Sequence, residues 1–305
     1  MPSITTQLTD RGFITPPSWL PCNIMFEGIQ GSNAYGVAVD TSDFDIIGYC
    51  IPPKDIVFPH LAGRIHGFGR QQQEFNTYQK HHIFDQYAQG GKGRQYDLNI
   101  YNIVHYFHLC MEGNPNMVAS LFLPAECVLH TTTVGNMVRE KRHLFLHKGC
   151  FHKFKGYAFS QLSKMETKSP QPGSNRAATV EKYHYDVKFA YHLVRLLHEV
   201  EQILATGDLD LRRNSDELKS IRRGEWTAQQ VRDFFAQKEK TLEVLYDTCS
   251  ILPYGPRQDE IKQLLLDCLE SHYGSLKNCI LTEMTPILAL REVAEVIDKH
   301  RDLIR

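Results

Sequence analysis

An excess of either charge is missing from this sequence, which has 34 Lys and Arg against 35 Asp and Glu. The formal net charge is −1 over 305 residues, so no overall field attracts nucleic acid or acidic lipid, and any such partner needs a local patch. No stretch approaches the roughly 18 apolar residues that cross a bilayer, so no membrane partner is expected. The residues from Met1 to Thr6 lack the basic start and apolar run of a secretory leader. Eight cysteines lie at 22, 50, 110, 127, 150, 249, 268 and 279, with no Cys-x-x-Cys pair and no zinc-finger spacing. Reduced, mostly buried thiols are therefore expected, and the cytoplasm is the expected compartment. Repeats and low-complexity tracts are absent too. What remains is a globular composition, 42% hydrophobic and 23% charged, sufficient for two modest domains or one large one.

The chain changes texture near residue 130. Before it, short apolar stretches broken by Gly and Pro predict an α/β region, residues 1–130. Strands are expected at Asn23–Ile29, Phe44–Ile51 and Gln95–Ile100, the last running into a helix that stops near Gly113-Asn114-Pro115. Residues 59–94 show no period and read as a long insertion. Residues 131–305 predict a helical region, with helices at Asp186–Thr206, 227–247, 257–272 and 286–300. In the first of these, Ala190, Leu193, Val194, Leu197, Val200 and Leu204 recur at three- and four-residue steps, between a capping Asp186 and Gly207. Lys168–Asn175 reads as a loop.

The chemistry concentrates in Gly31-Ser32-Asn33-Ala34-Tyr35-Gly36 and Ser42-Asp43-Phe44-Asp45-Ile46. On a strand, Asp43 and Asp45 share one face and Phe44 and Ile46 the other, about 6–7 Å separating the carboxylates. Such a pair suits a hard divalent ion, which prefers oxygen ligands. A Gly-Ser turn entering a short helix would let backbone N–H groups approach a phosphate. Two metals would need a third carboxylate. Asp97 is the candidate, since Tyr96, Leu98 and Ile100 take the opposite face. Asp55 and Asp85 are rivals, and the bland alternative is that Asp97 caps the following helix.

These motifs resemble the nucleotidyltransferase signature of the DNA polymerase beta superfamily, and in particular its bacterial and phage branch associated with RNA repair. The likeness extends through Gly113-Asn114-Pro115-Asn116, Phe154-Lys155-Gly156-Tyr157-Ala158, the run from Lys188 to Leu197, and Thr206-Gly207. Ala119 departs from it, standing where an acidic residue is expected. The resemblance implies a polymerase-beta-type domain with a mixed sheet, followed by a helical domain. It implies transfer of a nucleoside monophosphate from a nucleoside triphosphate to a hydroxyl, with release of pyrophosphate. Two Mg2+ ions, replaceable by Mn2+, would be shared by Asp43, Asp45 and Asp97. The acceptor would be an RNA end, with a protein or small molecule as alternative acceptors and a silent nucleotide-binding module as the non-enzymatic alternative.

Two further groups are candidates. Lys188, His192, Arg195 and Glu199 recur at steps of four, three and four opposite the apolar stripe. With Gly31 and Ser32, the residues Lys188, His192 and Arg195 form the expected nucleotide-binding set; the bland reading is a solvated helix face. The stretch from Arg139 to Lys155 interleaves basic residues with Phe145, Phe151 and Phe154, as a single-stranded nucleic acid path would. Arg142, Lys148 and Lys153 are its candidate acceptor contacts, against a plain basic surface loop.

Overall fold

In a computed structural model, which describes residues 2–39, 42–58, 74–169, 173, 175–274, 293 and 297, five strands form one mixed sheet. They are β1 (Ile24–Gln30), β2 (Phe44–Cys50), β3 (Thr77–Asp85), β4 (Arg94–Asn102) and β5 (Val128–Thr131), in the order β3-β4-β2-β1-β5. β1 runs antiparallel to β2 and β5, β2 parallel to β4, and β3 antiparallel to β4.

Both faces of the sheet are covered, which is why its central strands are so apolar. Ile46 and Cys50 join Leu98 and Ile100 on one face, under Leu8, Ile14 and Leu20 of the N-terminal segment. Helix α1 (Ile4–Asp10) is fastened there by Glu27, which accepts from the N–H groups of Ile4 at 2.5 Å and Thr5 at 3.1 Å. Ile47, Tyr49 and Ile51 face the other way, into a cluster that runs without a break through Phe107, Phe154, Leu193 and Leu242 to Cys268. The helical half therefore shares a core with the sheet. After α1, the first half carries the short α2 (Lys54–Val57) and α3 (Ala88–Gly91), then α4 (Ile103–Met111) and α5 (Pro115–Leu121); the helical half carries α6 (Thr133–Glu140), α7 (Cys150–Thr167), α8 (Asn175–Tyr183), α9 (Val187–Thr206), α10 (Ser215–Arg222), α11 (Ala228–Thr248) and α12 (Gln258–Tyr273).

The expected strands and the helices at 186–206, 227–247 and 257–272 fall within about two residues of observed elements. All of the expected helix at 286–300 except residues 293 and 297, and half of the loop at 168–175, lie outside the described residues, as do residues 59–73. Two readings need correction, the strand β5 was not foreseen, and one alternative for Asp97 falls away. The supposed insertion holds β3, an exposed edge strand whose bulge between Lys80 and Ile83 breaks the alternation that would have shown it. β5, with four residues, is too short to carry a period. Ser32–Gly36 is a run of turns, without the helix expected after Gly31-Ser32. Asp97 lies inside β4, and the cap of α4 is Asn102, which accepts from the N–H of Val104 at 3.0 Å.

Candidate active site

Strand register brings the carboxylates together. Asp45 of β2 is the direct partner of Asp97 on parallel β4, one interstrand spacing of about 4.8 Å away. Both lie on the sheet face that carries Ile47 and Tyr49, toward the helical half. Asp43, just before β2, lies near enough to repel Asp45. Asp45 titrates at about 6 instead of 3.8, because it is desolvated by burial and repelled by Asp97 and Asp43, while Lys188 and His81 pull the other way. Asp85, a rival for the third carboxylate, is buried and paired with Arg11 at 2.5 Å. Asp55 lies apart in α2.

Gly31 ends β1 beside Asp45 with φ of +66°, and a Cβ there would collide with Asp45 Oδ2. Glycine is required at this position by both backbone conformation and space. The following turns are closed by Tyr35 N–H to Gly31 O at 3.2 Å and Val37 N–H to Ser32 O at 2.9 Å.

Asp97 has histidine neighbours. The His82 N–H donates to Asp97 Oδ1 at 2.7 Å, and His81 Nδ1 lies 3.8 Å from Oδ2. The bulge makes this possible, with His82 held at φ +56°. His81 and His82 read as surface or core residues in the sequence. Their adjacency was a signal, but it has no metal spacing to give it meaning.

The helical half answers with cations, in a different arrangement from the one expected. Asp186 caps α9, accepting from the N–H groups of Lys188 and Phe189 at 3.0 and 3.3 Å. This orients the first turn, where Lys188 is exposed. Packing by α7, α10 and α11 makes α9 a central helix, so beyond Lys188 the face whose bland reading was a solvated one is covered by the fold. Arg195 is 5% exposed and Glu199 3%. Arg195 Nη1 donates to Glu199 Oε1 at 2.9 Å and to the Tyr35 hydroxyl at 2.6 Å. It therefore fastens α9 to the turns after Gly31. His192 is neutral, because burial and the nearby Arg195, Lys188, Arg222 and Arg176 hold it well below the usual imidazole range.

Two arginines absent from the sequence reading complete the clamp. Arg212 donates to the carbonyls of Ala34 and Asn33, both at 3.4 Å, and Arg222 to that of Val37 at 2.5 Å.

The basic stretch from Arg139 to Lys155 does not form one path. Lys148 is buried, its ammonium 4.8 Å from the ring centre of Tyr246 and 4.5 Å from that of Tyr254. Arg142 donates to Arg139 O at 2.8 Å and lies against Phe122. Lys153 is half exposed, 4.0 Å from Glu112. With Lys148 buried, it shares no exposed surface with Arg142 and Lys153.

Asp43, Asp45 and Asp97 are the oxygen donors expected for a hard divalent cation. Among the described residues, no three His, Cys, Asp or Glu side chains stand close enough together to hold an ion.

The family model for the RNA repair pathway DNA polymerase beta family (RlaP) matches residues 17–244, about three quarters of the chain. The chain belongs to that family. The match covers all five strands, Gly31, the three aspartates and α9, and ends within α11. Membership makes it a polymerase-beta-type nucleotidyltransferase of the RNA repair branch, as its motifs suggested. No curated protein matches the sequence. Among the described residues, no helix is long and apolar enough to cross a membrane.

Proposed function

We propose that the protein transfers a nucleoside monophosphate from a nucleoside triphosphate to a hydroxyl at an RNA end. The observation that carries this is the register pairing of Asp45 with Asp97 beside Gly31, where negative charge accumulates and one cation, Lys188, approaches from α9. Asp43, Asp45 and Asp97 would hold magnesium, or manganese in its place, which when bound neutralises the triphosphate and acidifies the attacking hydroxyl.

The protein's own groups then position the reactants. Backbone N–H groups of the turn at Gly31 and Ser32 approach the phosphates closely, since Gly31 has no side chain to obstruct them. Lys188 meets the distal phosphates. Arg195, Arg212 and Arg222 keep the turn rigid through Tyr35 and the carbonyls of Asn33, Ala34 and Val37. The acceptor oxygen forms a bond to the α-phosphorus as the bond to pyrophosphate breaks. The hydroxyl proton passes toward Asp97 or solvent.

The direct test incubates the protein with each α-labelled triphosphate, magnesium and total RNA, then separates the products. Label on RNA, lost in Asp43→Ala and Asp45→Ala proteins that remain folded, supports the reading. Label on protein or on a small molecule overturns the RNA acceptor, and no transfer with any triphosphate overturns the activity.

A further inference from the structure

A second surface adjoins the carboxylates, in the stretch where the sequence shows no period. The segment Gly90-Gly91-Lys92-Gly93-Arg94 turns β3 into β4, with positive φ at all three glycines. A Cβ at Gly93 would come within 2.5 Å of the Phe84 ring. Glycine there lets that ring lie against the turn while 60% exposed, with Tyr87 nearby in sequence and 70% exposed. Arg94 extends over Phe44, its guanidinium carbon 3.6 Å from the ring centre. Of these, Phe84, Lys92, Gly93 and Arg94 line a cleft of about 630 Å³, together with Gln89, Gln95, Ser42 and Asp43. Among the described lining residues, Asp43 is the single acid.

Strand order gives the cleft a direction. β1, which leads into Gly31 and Ser32, lies on one side of β2, whereas β4 and β3 lie on the other. The turn expected to meet the triphosphate and the β3–β4 cleft therefore flank the carboxylates from opposite sides. Attack in line with a leaving pyrophosphate requires an acceptor to approach from the side opposite the donor's distal phosphates.

We propose that this cleft seats the terminal nucleotides of a single-stranded RNA acceptor; the proposal rests on the nucleotidyl-transfer reading above. A base stacks on Phe84, a backbone phosphate meets Lys92 and Arg94, and the terminal hydroxyl points past Ser42 to Asp43. Exposed rings beside cations are what a single strand needs, because each nucleotide brings a flat face and a negative charge. A polypeptide acceptor brings neither at regular intervals. On this assignment the acceptor avoids the stretch from Arg139 to Lys155.

The test measures fluorescence anisotropy of a labelled 12-nucleotide single-stranded RNA with the full chain, without triphosphate, across a salt series. Phe84→Ala should weaken binding about tenfold, and Phe84→Trp should restore it. Lys92→Gln should weaken binding and reduce the slope of log affinity against log salt by about 0.7, the contribution of one phosphate contact on a single strand. Lys153→Gln should bind RNA as the parent does, and triphosphate affinity should be unchanged in every variant. Unaltered RNA binding in Phe84→Ala and Lys92→Gln, or an equal loss of triphosphate binding, overturns the cleft assignment. The labelling assay separates the two levels. Undiminished transfer to RNA by both variants sinks the cleft alone, whereas transfer by the parent protein to a non-RNA acceptor sinks the RNA reading with it.

Discussion

Replacing Asp45 by asparagine removes a charge that the fold holds against burial and against Asp97 and Asp43. The sign follows from the direction of the shift. A carboxyl that titrates at about 6 in the fold and 3.8 outside it binds its proton more tightly when folded. Its favourable contribution is complete below 3.8 and is lost as pH rises through about 6. That window is worth about 3 kcal/mol, at roughly 1.4 kcal/mol per pH unit. The amide side chain does not titrate, so the stability of Asp45→Asn relative to the parent should climb by about that amount between pH 4 and 7. For a chain of this size the gain corresponds to a melting temperature higher by roughly 5–10 °C. The assay is thermal melting of both proteins at pH 4.5, 5.5, 6.5 and 7.5 in EDTA. Any fixed packing difference between the acid and the amide offsets every pH equally, so the pH trend carries the inference. A difference that is flat, or falls as pH rises, would refute the claim that Asp45 is held at a charge cost. Magnesium in the millimolar range should raise the melting temperature of the parent at pH 7.5 and leave the variant nearly unmoved.

Three other outcomes can be checked. Lys188→Ala should weaken triphosphate binding at least several-fold more than monophosphate binding in a direct titration, because the distal phosphates carry the extra charge; equal losses would place Lys188 elsewhere. Arg195→Met should destabilise by about 3–5 kcal/mol, since it leaves the Glu199 carboxylate buried without its partner, and the double change with Glu199→Leu should recover most of the loss in urea unfolding. Gly31→Ala should abolish transfer in the labelling assay while the melting temperature falls only modestly, as a Cβ there displaces the Asp45 carboxylate; retained turnover would remove Asp45 from the reacting centre.

The legible parts of this protein are those governed by local period. Alternation along their strands gave Asp45 and Asp97 the faces they occupy, and the caps of α9 at Asp186 and Gly207 followed from neighbouring residues. What escaped depends on contacts between distant parts of the chain. β3 could not be read because it is an exposed edge whose bulge breaks the alternation, yet that bulge brings His81 and His82 to Asp97. Lys148 looked like one more surface cation until folding placed it among Tyr246 and Tyr254, about a hundred residues later. Arg195 shows the limit most clearly. Its spacing from Lys188 and Glu199 describes a helix face correctly, but spacing cannot tell whether water or another part of the chain covers that face. Tyr35 covers it, 160 positions earlier, as Val37 receives Arg222 from 185 positions away. The carboxylates could thus be found from a few consecutive residues. The turn proposed to meet the phosphates is a property of the whole fold, because its stiffness is supplied by arginines of the helical half. Loosening Arg212 or Arg222 should therefore impair transfer without touching a single metal ligand.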